Sequence, residues 1–433
     1  IYFAANLDTD AQLLSTFSQL IAATLHPEQE VAEGFRYQSW EAAFHILAAA
    51  TSEQRLICVI DEYPYLAQAG TPRKRVATML QNAWDQVLED SQIFFVLCGS
   101  YLSVIEQHFL NRDAPLHGRR TGLMQLKPLS LGEFARFLPK YDAETLIESY
   151  AAVGGMPGHI RRFRDNRSLW ANIRDEILTP VEHLYSEARF VLTDELREPR
   201  NYFAILRAIA AGAHRLNEIM AEGNIDERTS AQYYLETLLG LGIVDYRRPI
   251  GPEPPGRQWG RYHIVDPYFQ FWFRWVFPLQ SRLDLGDQER VIEQYIRPEW
   301  SRFVAGTWEQ LCREFLVPAG LDGRLPFIPE EVGKWWSHAA EIDVVGVDRQ
   351  NKRVLLGEAR WQARPMGEKA LNELMDKARP WLQKSRGWRV TYALFSRAGF
   401  SQDVIQIAAD QPGEIYLFGP EDLASRPKAV ARN

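Results

Sequence analysis

No G-x-x-x-x-G-K-[ST] string occurs in the 433 residues. The chain as given therefore lacks the Gly-rich loop that cradles nucleotide phosphates. Cysteine is scarce, with Cys58, Cys98 and Cys312 the only three. They sit in apolar settings without metal-ligand spacing, so they read as reduced core residues of a cytoplasmic protein. No apolar run approaches the ~20 residues that cross a bilayer. The longest aromatic-rich stretch, Phe269 to Phe277, is far shorter, and no membrane partner is expected. A signal peptide, internal repeats and low-complexity tracts are all absent from view. A net charge of −7 argues against a chain that binds polyanions by overall charge, while leaving room for a local basic surface.

What is present suits packed cores. Hydrophobic residues make up 46% and aromatics 12%, with thirteen Trp concentrated in the second half. The length allows roughly two to four domains. The most informative segment is Arg55 to Glu62, where Leu-Ile-Cys-Val-Ile runs into Asp61 and Glu62. A short continuous apolar run predicts a strand buried on both faces of a parallel sheet. The two carboxylates then fall at its carboxyl end, where open α/β sheets bind ligands. There, Asp61 can hold a water-coordinated Mg²⁺ and Glu62 can orient a hydrolytic water. A strand that simply ends in polar residues is the alternative.

Ile93 to Cys98 is a second apolar strand, ending in Gly99-Ser100, and a helix is expected over Arg73 to Glu89. Strand, helix, strand fits a right-handed parallel crossover. Ser100 at the tip is placed to meet a γ-phosphate or attacking water, or merely ends the strand. Gly118-Arg119-Arg120 precedes a further apolar stretch. Its guanidiniums suit phosphate contacts or solvated loop charges. Gly154-Gly155-Met156-Pro157-Gly158 is a sharp loop between helices, placing Pro157 over an adenine ring or simply breaking a helix.

In order and spacing, Asp61-Glu62, Ser100, Gly118-Arg119-Arg120, Pro128-Leu129 and Gly154-Gly155-Met156-Pro157 resemble the archaeal-type ATPases, AAA+/STAND-like P-loop proteins. The resemblance covers nearly the whole chain. It implies a parallel sheet of the additional-strand, catalytic-Glu (ASCE) class, with ATP and Mg²⁺ as cofactors. It makes Asp61 the Mg²⁺-linked acid and Glu62 the catalytic base. Ser100 becomes sensor 1, and Arg119 or Arg120 a phosphate-facing arginine. In that sheet the P-loop strand lies inside, beside the strand that follows Asp61-Glu62. Because the chain opens directly in the strand-like Ile1-Tyr2-Phe3-Ala4-Ala5, the P-loop strand and helix are expected outside it. A relative that never had them is the alternative.

Further along, helices over Tyr202 to Ala211, Leu216 to Met220 and Ser230 to Leu241 precede strands near Gly242 to Tyr246 and Arg261 to Val265. That is a winged-helix layout, with Pro249 to Pro255 as the wing tip. Such a module can read DNA or serve as a lid. The aromatic cluster Tyr268, Phe269, Phe271, Trp272, Phe273 and Trp275 reads as inter-domain core.

In the tail, Glu341 to Val347 and Arg353 to Arg360 predict a hairpin turning at Gln350-Asn351, which sets Asp343 opposite Glu358 and Glu341 opposite Arg360. Facing carboxylates repel unless a cation lies between them. The segment looks like the PD-(D/E)xK nuclease core. That resemblance implies Asp343 and Glu358 as metal ligands and Glu309 as the helix acid. The family places Lys where this chain has Arg360, and arginine does not act as a general base. An active nuclease, a nuclease-derived DNA-binding module and a structural module all remain open.

The expected organisation is an incomplete ATPase core over 1–130, a helical lid over 131–195 and a winged helix over 196–268. An aromatic linker over 269–300 and a restriction-endonuclease-like α/β domain over 301–433 complete it. DNA is the expected partner, with a homo-oligomer or a partner protein as further expectations.

Overall fold

The computed structural model describes every residue except 53, 72–73, 100–113, 197–198, 252–255, 257–258 and 426–433. Two compact units emerge, Ile1–Leu126 and Lys127–Asn433. Each contains both strands and helices.

In the first unit, β1 (Tyr2–Ala4), β2 (Leu56–Asp61) and β3 (Ile93–Leu97) form a parallel sheet in the order β1-β2-β3. Helices α1 (Asp10–Leu25) and α2 (Trp40–Ala50) start at Thr9 and Ser39, whose hydroxyls accept N–H bonds from Gln12 and Ala42. Each such cap is worth about 1 kcal/mol. Then come α3 (Tyr63–Gln68) and α4 (Val76–Ala83), the latter running on through Trp84–Leu88 as a π-helical turn. Helix thus fills 76–88 of the stretch expected over 73–89, with Lys74–Arg75 a short strand and residue 73 outside the described residues.

Phe3, Cys58 and Ile60 of the sheet pack with Phe17, Ile21, Phe44, Leu47 and Leu80 of the helices in one core. The expectation of a strand buried on both faces is corrected here. Leu56, Cys58 and Ile60 are buried, whereas Ile57 of β2 and its neighbour Phe94 on β3 are about half exposed or more. Among the described residues, the helices cover one face of this sheet, so the burial alternates with the two-residue strand period. β3 has β2 as its only strand neighbour among the described residues.

The second unit begins with helices that include α5 (Ala143–Val153) and α6 (His183–Glu195). Gly154 (φ 65°) ends α5, and a Cβ on Gly155 would sit 2.4 Å from Leu129 O, so the turn needs both glycines. Next, α7 (Pro199–Ala211), α8 (Leu216–Gly223) and α9 (Arg228–Gly240) lead into the antiparallel pair β4 (Val244–Arg247) and β5 (Arg261–Ile264). Tyr268, Phe271, Trp272, Phe273 and Trp275 are buried, and Trp272 Nε1 donates to Tyr185 O at 2.8 Å. One continuous core runs from Leu131 to Leu423. The segments 131–195, 196–268, 269–300 and 301–433 all contribute to it.

The long helix α10 (Arg297–Leu321) precedes a five-stranded mixed sheet of β6 (Glu331–Trp336), β7 (Glu341–Asp348), β8 (Arg353–Arg360), β9 (Arg389–Ser396) and β10 (Ile415–Phe418). The order is β10-β9-β8-β7-β6, antiparallel from β6 to β8 and parallel from β8 to β10. Trp308, Leu311, Cys312 and Phe315 of α10 pack with Val344, Leu355, Ala359 and Phe395. Helix α11 (Glu368–Gln383) packs Leu371, Leu374 and Trp381 with Ile342, Val345, Val354 and Leu356. Coverage by both helices explains the nearly unbroken apolar run of β8.

The β7–β8 hairpin has the expected register from Arg353↔Asp348 to Gly357↔Val344, where the ladder ends, one pair short of Asp343 and Glu358. The reason lies on the other edge of β7. Gly333 pairs with Val345 and Trp335 with Ile342, so Lys334 alone stands across from both Asp343 and Val344. Two residues against one is a β-bulge, which re-aims a side chain.

Candidate functional sites

In the first unit, Asp61 ends β2 and Glu62 starts α3 with a left-handed backbone (φ 50°, ψ 41°). A side chain bearing a Cβ pays about 1–2 kcal/mol there. Asp61 Oδ1 accepts Glu62 N–H at 3.0 Å, and Asp61 Oδ2 accepts the Tyr2 hydroxyl. That hydrogen bond raises the Tyr2 pKa. Tyr63 N–H donates to Cys98 O at 2.8 Å, tying the start of α3 to the end of β3. Burial, then the Asp61 charge, pushes the Cys98 thiol up.

Ser100 lies outside the described residues. Arg119 is in a bidentate pair with Asp85, Nε to Oδ1 at 2.5 Å and Nη2 to Oδ2 at 2.7 Å. That pair lowers the Asp85 pKa. Its fork is therefore filled by a side chain 34 positions away. Arg120 is exposed and borders a cavity of about 130 Å³ with Trp84, Phe95 and Leu123. Pro157, in the second unit, is exposed at the first turn of a short helix, Pro157–Ile160.

The tail acids gather around lysines. Lys334 Nζ lies 2.5 Å from Glu341 Oε1, 2.8 Å from Glu309 Oε2 and 3.4 Å from Asp343 Oδ1. Arg313 stands 3.8 Å from Glu309, and Arg261 stands 3.2 Å from Glu341. Burial works against the Lys334 charge, but Glu309, Asp343 and Glu341 outweigh it and raise the ammonium's pKa. Burial and the Asp343 charge raise the Glu309 pKa. Asp343 also accepts Ala359 N–H at 3.2 Å. Glu358, 5% exposed, takes Lys377 Nζ of α11 at 2.8 Å and 3.0 Å and Arg360 Nη2 at 3.2 Å. Arg360 also meets Glu373 at 2.6 Å.

The residues therefore do not fit a divalent ion shared by Asp343 and Glu358. The two carboxylates have no common ion-pair partner among the described residues. Three acids, Glu309, Glu341 and Asp343, face Lys334, Arg313 and Arg261, while Glu358 and Glu373 face Lys377 and Arg360. The first group is charge-balanced from within, and the second carries a surplus cation, Lys369, 3.9 Å from Glu373. Among the described residues, no group of three or more His, Cys, Asp or Glu is disposed to hold a metal.

Lys334 and Lys377 were not singled out from the sequence. A lysine four residues after Glu373, on the helix that follows the Glu358-x-Arg360 strand, is the one signal that pointed to the second.

Residues 272–373 match a family described as archaeal and bacterial proteins of unknown function. An uncharacterized protein of Methanocaldococcus jannaschii is 29% identical over 341 residues, spanning 79% of this chain and 73% of its own length. A second uncharacterized protein of that organism is 30% identical over 70 residues, 16% of this chain and 63% of its own. Among solved structures, the Aeropyrum pernix Orc1 protein in complex with DNA aligns with a TM-score of 0.25 at 14% identity, covering 65% of this chain and 78% of that one. A Vibrio cholerae protein aligns with a TM-score of 0.20 at 10% identity, covering 98% of this chain and 94% of that one. No helix among the described residues is long and apolar enough to cross a membrane.

Proposed function

We propose that this chain belongs to an ATP-binding and ATP-hydrolysing regulatory protein of the AAA+ type that works on DNA. The observation that carries the reading is the placement of Asp61 and Glu62 at the carboxyl end of the middle strand of a parallel sheet. Asp61 offers hard oxygen donors, the set that Mg²⁺ takes through water. When bound, that ion would neutralise charge on the transferred phosphoryl group. Glu62 would orient the attacking water, and its left-handed backbone fixes its position next to Asp61. Arg120, exposed at its cavity, suits a phosphate contact better than Arg119, whose fork is filled by Asp85. Ser100 as a γ-phosphate sensor belongs to the same reading.

The winged-helix module, α7 to β5, supplies the DNA-facing part. The tail is read as a nuclease-derived module without hydrolytic activity, because Lys334 and Lys377 hold the acids that a metal would need. Mg²⁺-dependent ATP binding by the full natural polypeptide tests this. Asp61→Ala should weaken it by at least about tenfold, a loss of about 1.4 kcal/mol. Equal affinity in the variant would remove Asp61 from the site.

A further inference from the structure

Four arginines lie within seven residues just after the Gly154–Gly158 turn: Arg161, Arg162, Arg164 and Arg167. They line one open cavity of about 540 Å³. Among the described residues, Arg167 alone of the four is in ion pairs, with Asp175 at 3.3 Å and Glu176 at 4.0 Å. Asp175 is also held by Arg174 at 2.7 Å. Arg161, Arg162 and Arg164 are exposed, and among the described residues no carboxylate comes within ion-pair distance of any of them. Four arginines against Asp175, Glu176 and Glu182 leave the cavity lining net positive, and the three unpaired guanidiniums repel one another, an arrangement that favours an anionic ligand.

The segment is held in shape from beneath. Asn172, fully buried, accepts Arg164 N–H at 3.0 Å and donates to Arg164 O at 2.9 Å. The Tyr141 hydroxyl donates to Arg167 O at 2.7 Å and receives Asn172 Nδ2 at 2.7 Å. A basic loop fixed by buried hydrogen bonds is preorganised, which lowers the ordering cost of binding. Glu176 and Glu182 also line the cavity. Burial first, then the Glu182 charge, pushes the Glu176 carboxyl above its usual range. Arg164, Arg167 and Arg162 act against that shift.

We infer that this arginine cavity binds phosphate groups, and that its ligand is the phosphodiester backbone of a nucleic acid. Arginine forks match phosphate oxygens in pairs, and backbone contacts position a nucleic acid without reading its sequence. The inference rests on the DNA-associated reading and extends it to residues outside the winged helix.

The test is fluorescence anisotropy with the whole chain and labelled single-stranded and duplex DNA at several salt concentrations. The triple variant Arg161→Gln/Arg162→Gln/Arg164→Gln should bind at least about tenfold more weakly, with a salt slope shallower by about 2–3. Lysine at the same three positions should restore most of the affinity, because lysine keeps the charge. Arg228→Gln on α9 probes the winged helix separately. Unchanged affinity and salt slope in the triple glutamine variant overturn the inference. If Arg228→Gln alone then abolishes binding, the DNA reading stands without this site. Failure of the unaltered chain to bind either DNA overturns both. Tripolyphosphate and ATP form the remaining arm: binding of these alone, sensitive to the triple variant, overturns the nucleic-acid source.

Discussion

Lys334 Nζ lies 2.5 Å from Glu341 Oε1. The same ammonium meets Glu309 and Asp343, so one lysine serves as the counter-cation of three acids from α10 and β7. Breaking a buried pair by removing one partner is costly, because it strands the other charge. Lys334→Met should destabilise the chain by about 3 kcal/mol, read from urea unfolding. The variant should also gain a Mn²⁺-dependent rise in melting temperature that the unaltered chain lacks. A metal-dependent rise of equal size in the unaltered chain would show that the acids are free for a cation.

Lys377 repeats the arrangement from the other face of the sheet. It is the ammonium nearest to Glu358, whose carboxylate is nearly inaccessible to water. Lys377→Met should cost about 3 kcal/mol, whereas Lys369→Met, on an exposed side chain 3.9 Å from Glu373, should cost under about 0.5 kcal/mol. Equal effects in chemical unfolding would contradict the pairing.

His263 of β5 and His214, just ahead of α8, stack at 4.4 Å. Burial, then Arg247, pushes His263 down to about 2, with His214, Arg313 and Lys334 acting in the same direction. Burial also lowers His214, against its hydrogen bond with Tyr262 O. Both folded values lie below the unfolded one, so the unfolded chain takes up protons first as pH falls. Their contribution is complete above about pH 6.5 and declines below it. His159 has the opposite sign. Burial opposes its charge, but Glu187 prevails and raises it, so its contribution is lost as pH rises through the folded value. Thermal unfolding across pH should show His263→Phe losing less stability than the unaltered chain on acidification from about pH 7 to 5. Parallel curves would remove His263 from the account.

Glu62 occupies a left-handed backbone that glycine adopts without strain. Glu62→Gly should stabilise the first unit by about 1 kcal/mol. Backbone strain of this kind clusters at functional sites. Destabilisation by the glycine variant, in calorimetry, would mean that Glu62 is held for packing.

The sequence made local order legible and left long-range partners hidden. The apolar run before Asp61 gave β2, and the polar turn at Gln350-Asn351 gave the hairpin register from Val344 to Gly357. Both depend on neighbours along the chain. The predicted facing of Asp343 and Glu358 fails, because the bulge opposite Lys334 is set by a third strand. The fork of Arg119 was filled by Asp85, a pairing that no local spacing announces. Ile57 and Val59 read as doubly buried, yet apolar composition alone does not tell which face of a sheet the helices cover. The basic loop from Arg161 to Arg167 was visible as letters, but the cavity and the buried Asn172 beneath it required the fold.

The most direct measurement is ATP turnover and ATP binding by the full natural polypeptide carrying Glu62→Gln. The variant should bind Mg²⁺–ATP with unchanged affinity while the turnover rate falls by about 10²–10⁴, the range that a positioned proton acceptor supplies. Turnover equal to that of the unaltered protein would contradict the assignment of the strand-end carboxylates to nucleotide hydrolysis.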